Sequence, residues 1–239
     1  MKIVKNINSE DVLTIDIETV RYKKDFSELS EAWKSAWSYK NKQDGEVVGD
    51  EILAEKWEKT SSLYAEFSKV CAISLVYLKD GVLKCKSYSG KDEKEILVSF
   101  AADIKKFYNS NKNYRMLGHA AKYFDIPFMC KRYVAHRLEI PVELDESSAK
   151  PWEMKNIDTN EMWKSFGTGP GSSLQSLCTL LGVPISKVDL VGDEVGAAYF
   201  NSEIDRISQY CSKDAVATFN VFRRFKGEEI FKFDDVKYV

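Results

Sequence analysis

The spacing of apolar positions changes several times along the chain, and each change marks a different element. Residues 12–17, VLTIDI, form a short β-branched run of the kind a central strand needs. From Phe26 to about Phe67 the chain turns to Lys, Glu, Trp and Ala, broken at Gly45 and Gly49. That pattern predicts two amphipathic helices, at 26–38 and 51–66, inserted between strands. Residues 69–79 and 82–89 return to strand character and meet at Asp80-Gly81, a two-residue hairpin signal. Ile96, Leu97, Phe100, Ala101, Ile104 and Phe107 then fall at helical spacing within 92–109.

Further along, 115–119 reads as a short strand and 126–138 as a helix, with Pro127 suited to its first turn. Residues 156–158 predict a last short strand and 159–166 a helix. A Gly/Pro loop, GTGPGS, precedes the helix SLQSLCTLLG, which Gly182 and Pro184 end. The final helix, about 203–226, carries Ser202 and Asp205 at capping-box spacing. With no repeat and no low-complexity linker, this order predicts one α/β domain over 1–239. Its core is a mixed central β-sheet flanked by α-helices, and a helical insert spans about 26–67.

Composition narrows the functional classes. Charged residues make up 30% of the chain but nearly cancel, leaving a formal net charge of −2. There is no global attraction for a polyanion, so a nucleic acid would have to be met by a local basic patch or by bound metal. Five cysteines without a C-x-x-C pair and only two histidines argue against a zinc site. No stretch approaches membrane-spanning length, and the N-terminus lacks a signal-peptide run, which predicts a cytoplasmic protein with no membrane partner.

Candidate chemistry lies in three acidic signals. Asp16 and Glu18 stand two apart at the end of the first strand, so both point to one face while Ile15 and Ile17 point to the other. Side by side, two carboxylates repel each other, and a divalent cation between them removes the conflict. Taken alone, the pair is explained more simply by a solvent-facing strand end. Tyr210 and Asp214, four apart on the last helix, share a face with Ile204, Ile207 and Cys211. An acid there needs a partner, either a metal or an arginine. Asp125 precedes the helix started by Pro127 and would serve as an ordinary N-cap.

Taken in chain order, D-x-E, Phe-Asp and Tyr-x-x-x-Asp resemble the three motifs of the DEDD-superfamily exonucleases, in the subgroup with tyrosine in the third motif. The blocks TIDIETV, FSKVCAISLVY, GHAAKYFDIPF, DTNEMWKSFG, SLQSLCTLLGVPISK and YCSKDAVATFNVFRRF look like successive parts of a predicted 3′→5′ exonuclease family. That family is related to the proofreading domain of family-B DNA polymerases. The resemblance implies a ribonuclease H-like fold. It also implies that Asp16, Glu18, Asp125 and Asp214 hold two divalent cations, Mg²⁺ or Mn²⁺, about 4 Å apart, with Tyr210 orienting the attacking water. The expected substrate is the 3′ end of single-stranded DNA, cut to nucleoside 5′-monophosphates. Thr19, His119, Lys122 and Phe124 are the expected nucleic-acid contacts. The pattern departs from the family at Ala120, where Gly-His-Asn is usual, and the missing Asn puts grip on the strand in doubt. An inactive binding module of the same fold and an exoribonuclease remain open.

Smaller signals have simpler explanations beside them. Asp158 and Glu161 fit a capping box. Lys122, Lys131, Arg132, Arg137 and Lys187 could line a phosphate track or be solvated surface. Trp33, Trp37 and Trp57 could stack bases, but the i, i+4 spacing of the first two suits a packing stripe better.

Overall fold

The computed structural model describes residues 6–42, 48–146, 149–150, 153–167, 169–185 and 190–239. Gly45 and Lys187, singled out above, lie outside the described residues. Strands β1 (Val12–Arg21), β2 (Ser68–Lys79), β3 (Val82–Ser89), β4 (Arg115–Gly118), β5 (Ile157–Asp158) and β6 (Lys237–Tyr238) form one six-stranded sheet. Its order is β5-β4-β1-β2-β3-β6. β1, β2 and β3 pair antiparallel, β4 and β5 run parallel to β1, and β6 runs parallel to β3. The sheet is mixed, as its sequence pattern predicts, and the arrangement is ribonuclease H-like.

The alternation along β1 sorts the two faces. Leu13, Ile15 and Ile17 pack into a core with α3 (Glu93–Ser110) and α4 (Asp125–Ala135), through residues such as Phe100, Ile104, Phe128 and Met129. A bond from the Tyr133 hydroxyl to the Leu97 carbonyl, 2.8 Å, ties those two helices together. Val12 lies on the opposite side with Ala215, Phe219 and Phe222 of α8 (Ile204–Lys226), and Val20 with Ile207 and Cys211. Asp16 and Glu18 have the parity of that second face. The register slips between Glu18 and Thr19: Glu18 pairs with Ala72 and Thr19 with Val70, leaving Cys71 unpaired. A bulge of this kind re-aims side chains locally, and here it sits beside the D-x-E pair.

At the β2–β3 turn, Asp80 has φ 52° and Gly81 φ 74°, the two positive values a type I′ hairpin requires. Helices α5 (Thr159–Lys164) and α6 (Leu174–Leu181) begin on Asp158 and Ser173, whose side chains accept backbone N–H bonds. α6 ends at Gly182 in the left-handed conformation, as expected.

Several elements differ from expectation. In the insert, residues 26–28 form a 3₁₀ turn, and α1 (Glu31–Lys40) begins after it. α2 (Asp50–Thr60) then stops well short of residue 66. Trp37 and Trp57 are fully buried, meeting edge to face at 5.3 Å around Leu53 and Phe67. Their indole N–H groups donate to the carbonyls of Leu53 and Lys23, so this small core is satisfied. Trp33 stays 40% exposed and meets this core through the edge of Phe67, at 5.7 Å. A short helix, α7 (Val195–Phe200), was not evident in the sequence, nor was β6. Ser202 does not cap α8. It takes φ 65°, and bonds from Ser202 N to Tyr199 O and from Glu203 N to Ala198 O close α7 instead, which is a Schellman ending.

Candidate active site

β1 supplies Asp16 and Glu18, the start of α4 supplies Asp125, and α8 supplies Tyr210 and Asp214. α8 rests on the sheet through a small side chain: the Cys211 thiol lies 3.3 Å from the Asp16 carbonyl oxygen. Tyr210 and Asp214, on the flank of that contact, are half-buried beside Asp16 and Glu18, which are half-buried too. Asp125 is buried and does not act as the helix cap. It is the first residue of α4, and its Oδ1 accepts from the Ile17 N–H at 3.2 Å, tying the helix start to β1 between the two acids.

The acids therefore act on one another. Burial raises the Asp16 carboxyl well above its usual range, and the negative charges of Glu18, Asp214 and Asp125 raise it further. Glu18 is raised by burial and then by Asp214 and Asp125. Burial lifts Asp125 to about 7 against the pull of two backbone N–H bonds. It lifts Asp214 to about 6, moderated by a hydrogen bond from Tyr210. Tyr210 itself is pushed far above the ordinary phenol value, first by burial and then by Asp214. It is thus a neutral hydroxyl donor throughout the physiological range.

Among the described residues no lysine or arginine forms an ion pair with any of the four carboxylates. Such a cluster lacks a counter-charge, and its hard oxygen donors fit Mg²⁺ or Mn²⁺. Among the described residues no three acidic, thiol or imidazole groups surround a single point at ligating distance. That does not conflict with magnesium chemistry, in which one or two carboxylates commonly suffice and water or substrate phosphate fills the shell.

The turn before Asp125 is held from below by Asp158. Its buried carboxylate accepts from Ala120 N at 3.0 Å and Lys122 N at 3.2 Å while also capping α5. Glu161 does not complete a capping box; it turns away to Lys122 at 2.8 Å and to the Tyr123 hydroxyl. Ala120 has φ 61°, a left-handed conformation that costs an alanine strain but suits asparagine. Gly118 is required by space, because a Cβ there would lie 2.1 Å from the Ala121 Cβ.

The four expected nucleic-acid contacts are largely spent within the chain. Thr19 donates to the Ser62 carbonyl at 2.8 Å, and Lys122 pairs with Glu161. His119 uses both ring nitrogens, on Thr159 Oγ1 and on the Ser172 carbonyl, each at 2.8 Å. Burial lowers its pKa, so it is an uncharged clip between three segments. Phe124 is half-buried and packs against Phe128. Of the candidate basic track, Arg132 is committed to the buried Glu93 carboxylate, which also accepts from Val70 N and contacts His136. No spacing rule could have found these clips, since their partners come from distant segments.

A cleft of about 950 Å³ lies elsewhere, between β3, α8 and the C-terminal strand, lined by residues such as Cys85, Ser87, Ser212 and Tyr238. Among the described residues Asp234 is the one acidic side chain in that lining, so they offer no pair of acidic side chains there for hydrolytic chemistry.

No curated protein gives a significant match to the chain. A family model described as "predicted 3′-5′ exonuclease related to the exonuclease domain of PolB" matches residues 60–235. The match includes Asp125, Tyr210 and Asp214 but begins after Asp16 and Glu18, which reach the others through the sheet. With well over half of its length matched, the chain belongs to this family of predicted 3′→5′ exonucleases related to the exonuclease domain of PolB.

Proposed function

We propose that this protein is a divalent-metal-dependent 3′→5′ exonuclease that removes nucleoside 5′-monophosphates from the 3′ end of single-stranded DNA. The observation that carries this reading is the convergence of Asp16, Glu18, Asp125 and Asp214, four acids from three elements, with no basic residue paired to them among the described residues. A fold spends stability on such a cluster only if something cationic completes it.

The four carboxylates would hold paired Mg²⁺ or Mn²⁺ ions. When bound, these supply Lewis-acid stabilisation of the phosphate charge and a water acidified toward hydroxide. Asp125, fixed by the Ile17 N–H, and Asp214, fixed by Tyr210, present oxygens of defined orientation. Tyr210 is too weak an acid to be a base at neutral pH, so its role is to orient the attacking water by hydrogen bonding. The water oxygen joins phosphorus, the P–O3′ bond breaks, and the proton ends on the departing 3′-oxygen.

Asp16→Ala or Asp214→Ala should abolish Mn²⁺- or Mg²⁺-dependent nucleotide release from 5′-labelled single strands, with thermal unfolding still cooperative. Unchanged release in either purified variant rejects the assignment. A wild-type protein that binds the strand but never shortens it points to a binding module. Shortening of RNA alone moves the substrate class.

A further inference from the structure

β1 does not end at the acids. Three residues past Glu18 comes Arg21, then Tyr22, and both are held in unusual positions. The Arg21 Nε donates to the Lys24 carbonyl at 2.7 Å, and its guanidinium lies 5.2 Å from the centre of the Phe200 ring. A Cβ at Gly196 would lie 2.7 Å from Arg21 Nη1, so the lack of a side chain there makes room for the guanidinium. On β2, the Lys69 ammonium sits 4.8 Å over the neighbouring ring of α7, Tyr199. Among the described residues neither cation has a carboxylate partner.

Tyr22 directly follows Arg21, and its N–H donates to the Phe67 carbonyl, two residues before Lys69, so an aromatic surface adjoins these cations along both strands. Tyr22 is 50% and Trp33 40% exposed. Their rings lie 6.1 Å apart, and Trp33 rests edge-on against the buried Phe67 at 5.7 Å. Trp37 and Trp57 of the same insert are buried, whereas Tyr22 and Trp33 meet each other with much of both rings in solvent. Cations held without carboxylate partners next to solvent-facing rings are what an unpaired polynucleotide needs, phosphates on the first and bases on the second. Extended geometry puts Tyr22, one residue past β1, at most roughly 13 Å from Glu18, a span a few nucleotides can bridge.

We infer that Tyr22 and Trp33 form a base-stacking platform, with Arg21 and Lys69 as its phosphate contacts, holding the single strand a few nucleotides from the cleaved 3′ end. The inference rests on the proposed exonuclease site but concerns residues outside the family match: of the four, only Lys69 falls within residues 60–235.

The test uses the full chain in Ca²⁺, with oligothymidylate as the long probe. Oligothymidylate should quench tryptophan fluorescence in the wild type, and Trp33→Phe should lose that quench while still binding. Tyr22→Ala combined with Trp33→Ala should weaken binding roughly ten-fold, and Arg21→Ala should flatten its salt dependence. In Mg²⁺, cleavage of a dinucleotide too short to reach the platform should be unchanged in all variants. Equal long-strand affinity in all variants, or a quench that survives in Trp33→Phe, overturns the platform. So does wild-type self-association lost in the double variant with oligonucleotide affinity intact, which would make the patch a protein-docking face. If no form cleaves the dinucleotide or the long strand, yet binding follows the platform residues, the exonuclease reading fails and the platform stands.

Discussion

Asp125 carries the clearest single-residue consequence. Its carboxyl rises to about 7 on folding from an unfolded value of about 4. The native chain therefore binds this proton more tightly than the unfolded one, and native stability falls as pH climbs between those values. Asp125→Asn removes the ionisation and keeps an oxygen for the Ile17 N–H. In EDTA, its stability advantage over wild type should be larger at pH 8 than at pH 5 by at least about 1 kcal/mol; equal differences at the two pH values would contradict the burial of an ionisable Asp125. Ala120 gives a second case. Its left-handed backbone costs alanine about 1–2 kcal/mol, so Ala120→Asn should raise stability by about 0.5–1 kcal/mol, read as a rise in Tm. The strain was invisible in the sequence, although the departure from Gly-His-Asn marked the position. By contrast, the shared orientation of Asp16 and Glu18 was readable from strand parity alone.

At the scale of elements, the hairpin, α3, the end of α6 and the end of α8 near residue 226 were legible, the first three from Asp80-Gly81, the apolar spacing of 92–109 and Gly182. The Asp92 and Ser173 caps and the left-handed Gly227 that bound these helices emerge in the structure. The start of α8 was not legible, because Ser202 closes the preceding helix and that helix lacks a strong periodic pattern. The insert has its own apolar cluster. Trp37→Ala should cost about 3–5 kcal/mol locally and expose the insert to limited proteolysis before the sheet. Cleavage appearing first in the sheet would show that the two are not separable in this way. Gly118→Ala forces the Ala121 contact apart, shifting the turn that aims Asp125. It should lower both Tm and nuclease rate, whereas a wild-type rate would mean that the turn does not set the site.

For the whole molecule, the net charge of −2 gives no pull on a polyanion, so the proposed chemistry leans on bound cations and on local basic groups. Mn²⁺ that binds the native cluster must raise Tm with concentration, by about 2.7 kcal/mol at a hundred times its dissociation constant. The shift should vanish in Asp16→Asn combined with Asp214→Asn; a shift of equal size in that variant would place the binding elsewhere. Among the described residues no helix is long and apolar enough to cross a membrane. From the sequence alone came the order of elements except α7 and β6, the mixed α/β class and the acids that could matter, because strand parity, helical spacing and turn signals act over a few residues. Tertiary structure alone decided that Asp125 bonds to β1 instead of capping α4, that His119, Thr19 and Lys122 are committed internally, and that Trp33 faces solvent while Trp37 does not. Each of these depends on partners tens of residues away. Local spacing carries no information about such contacts, and only the packing of helices on the sheet brings them together.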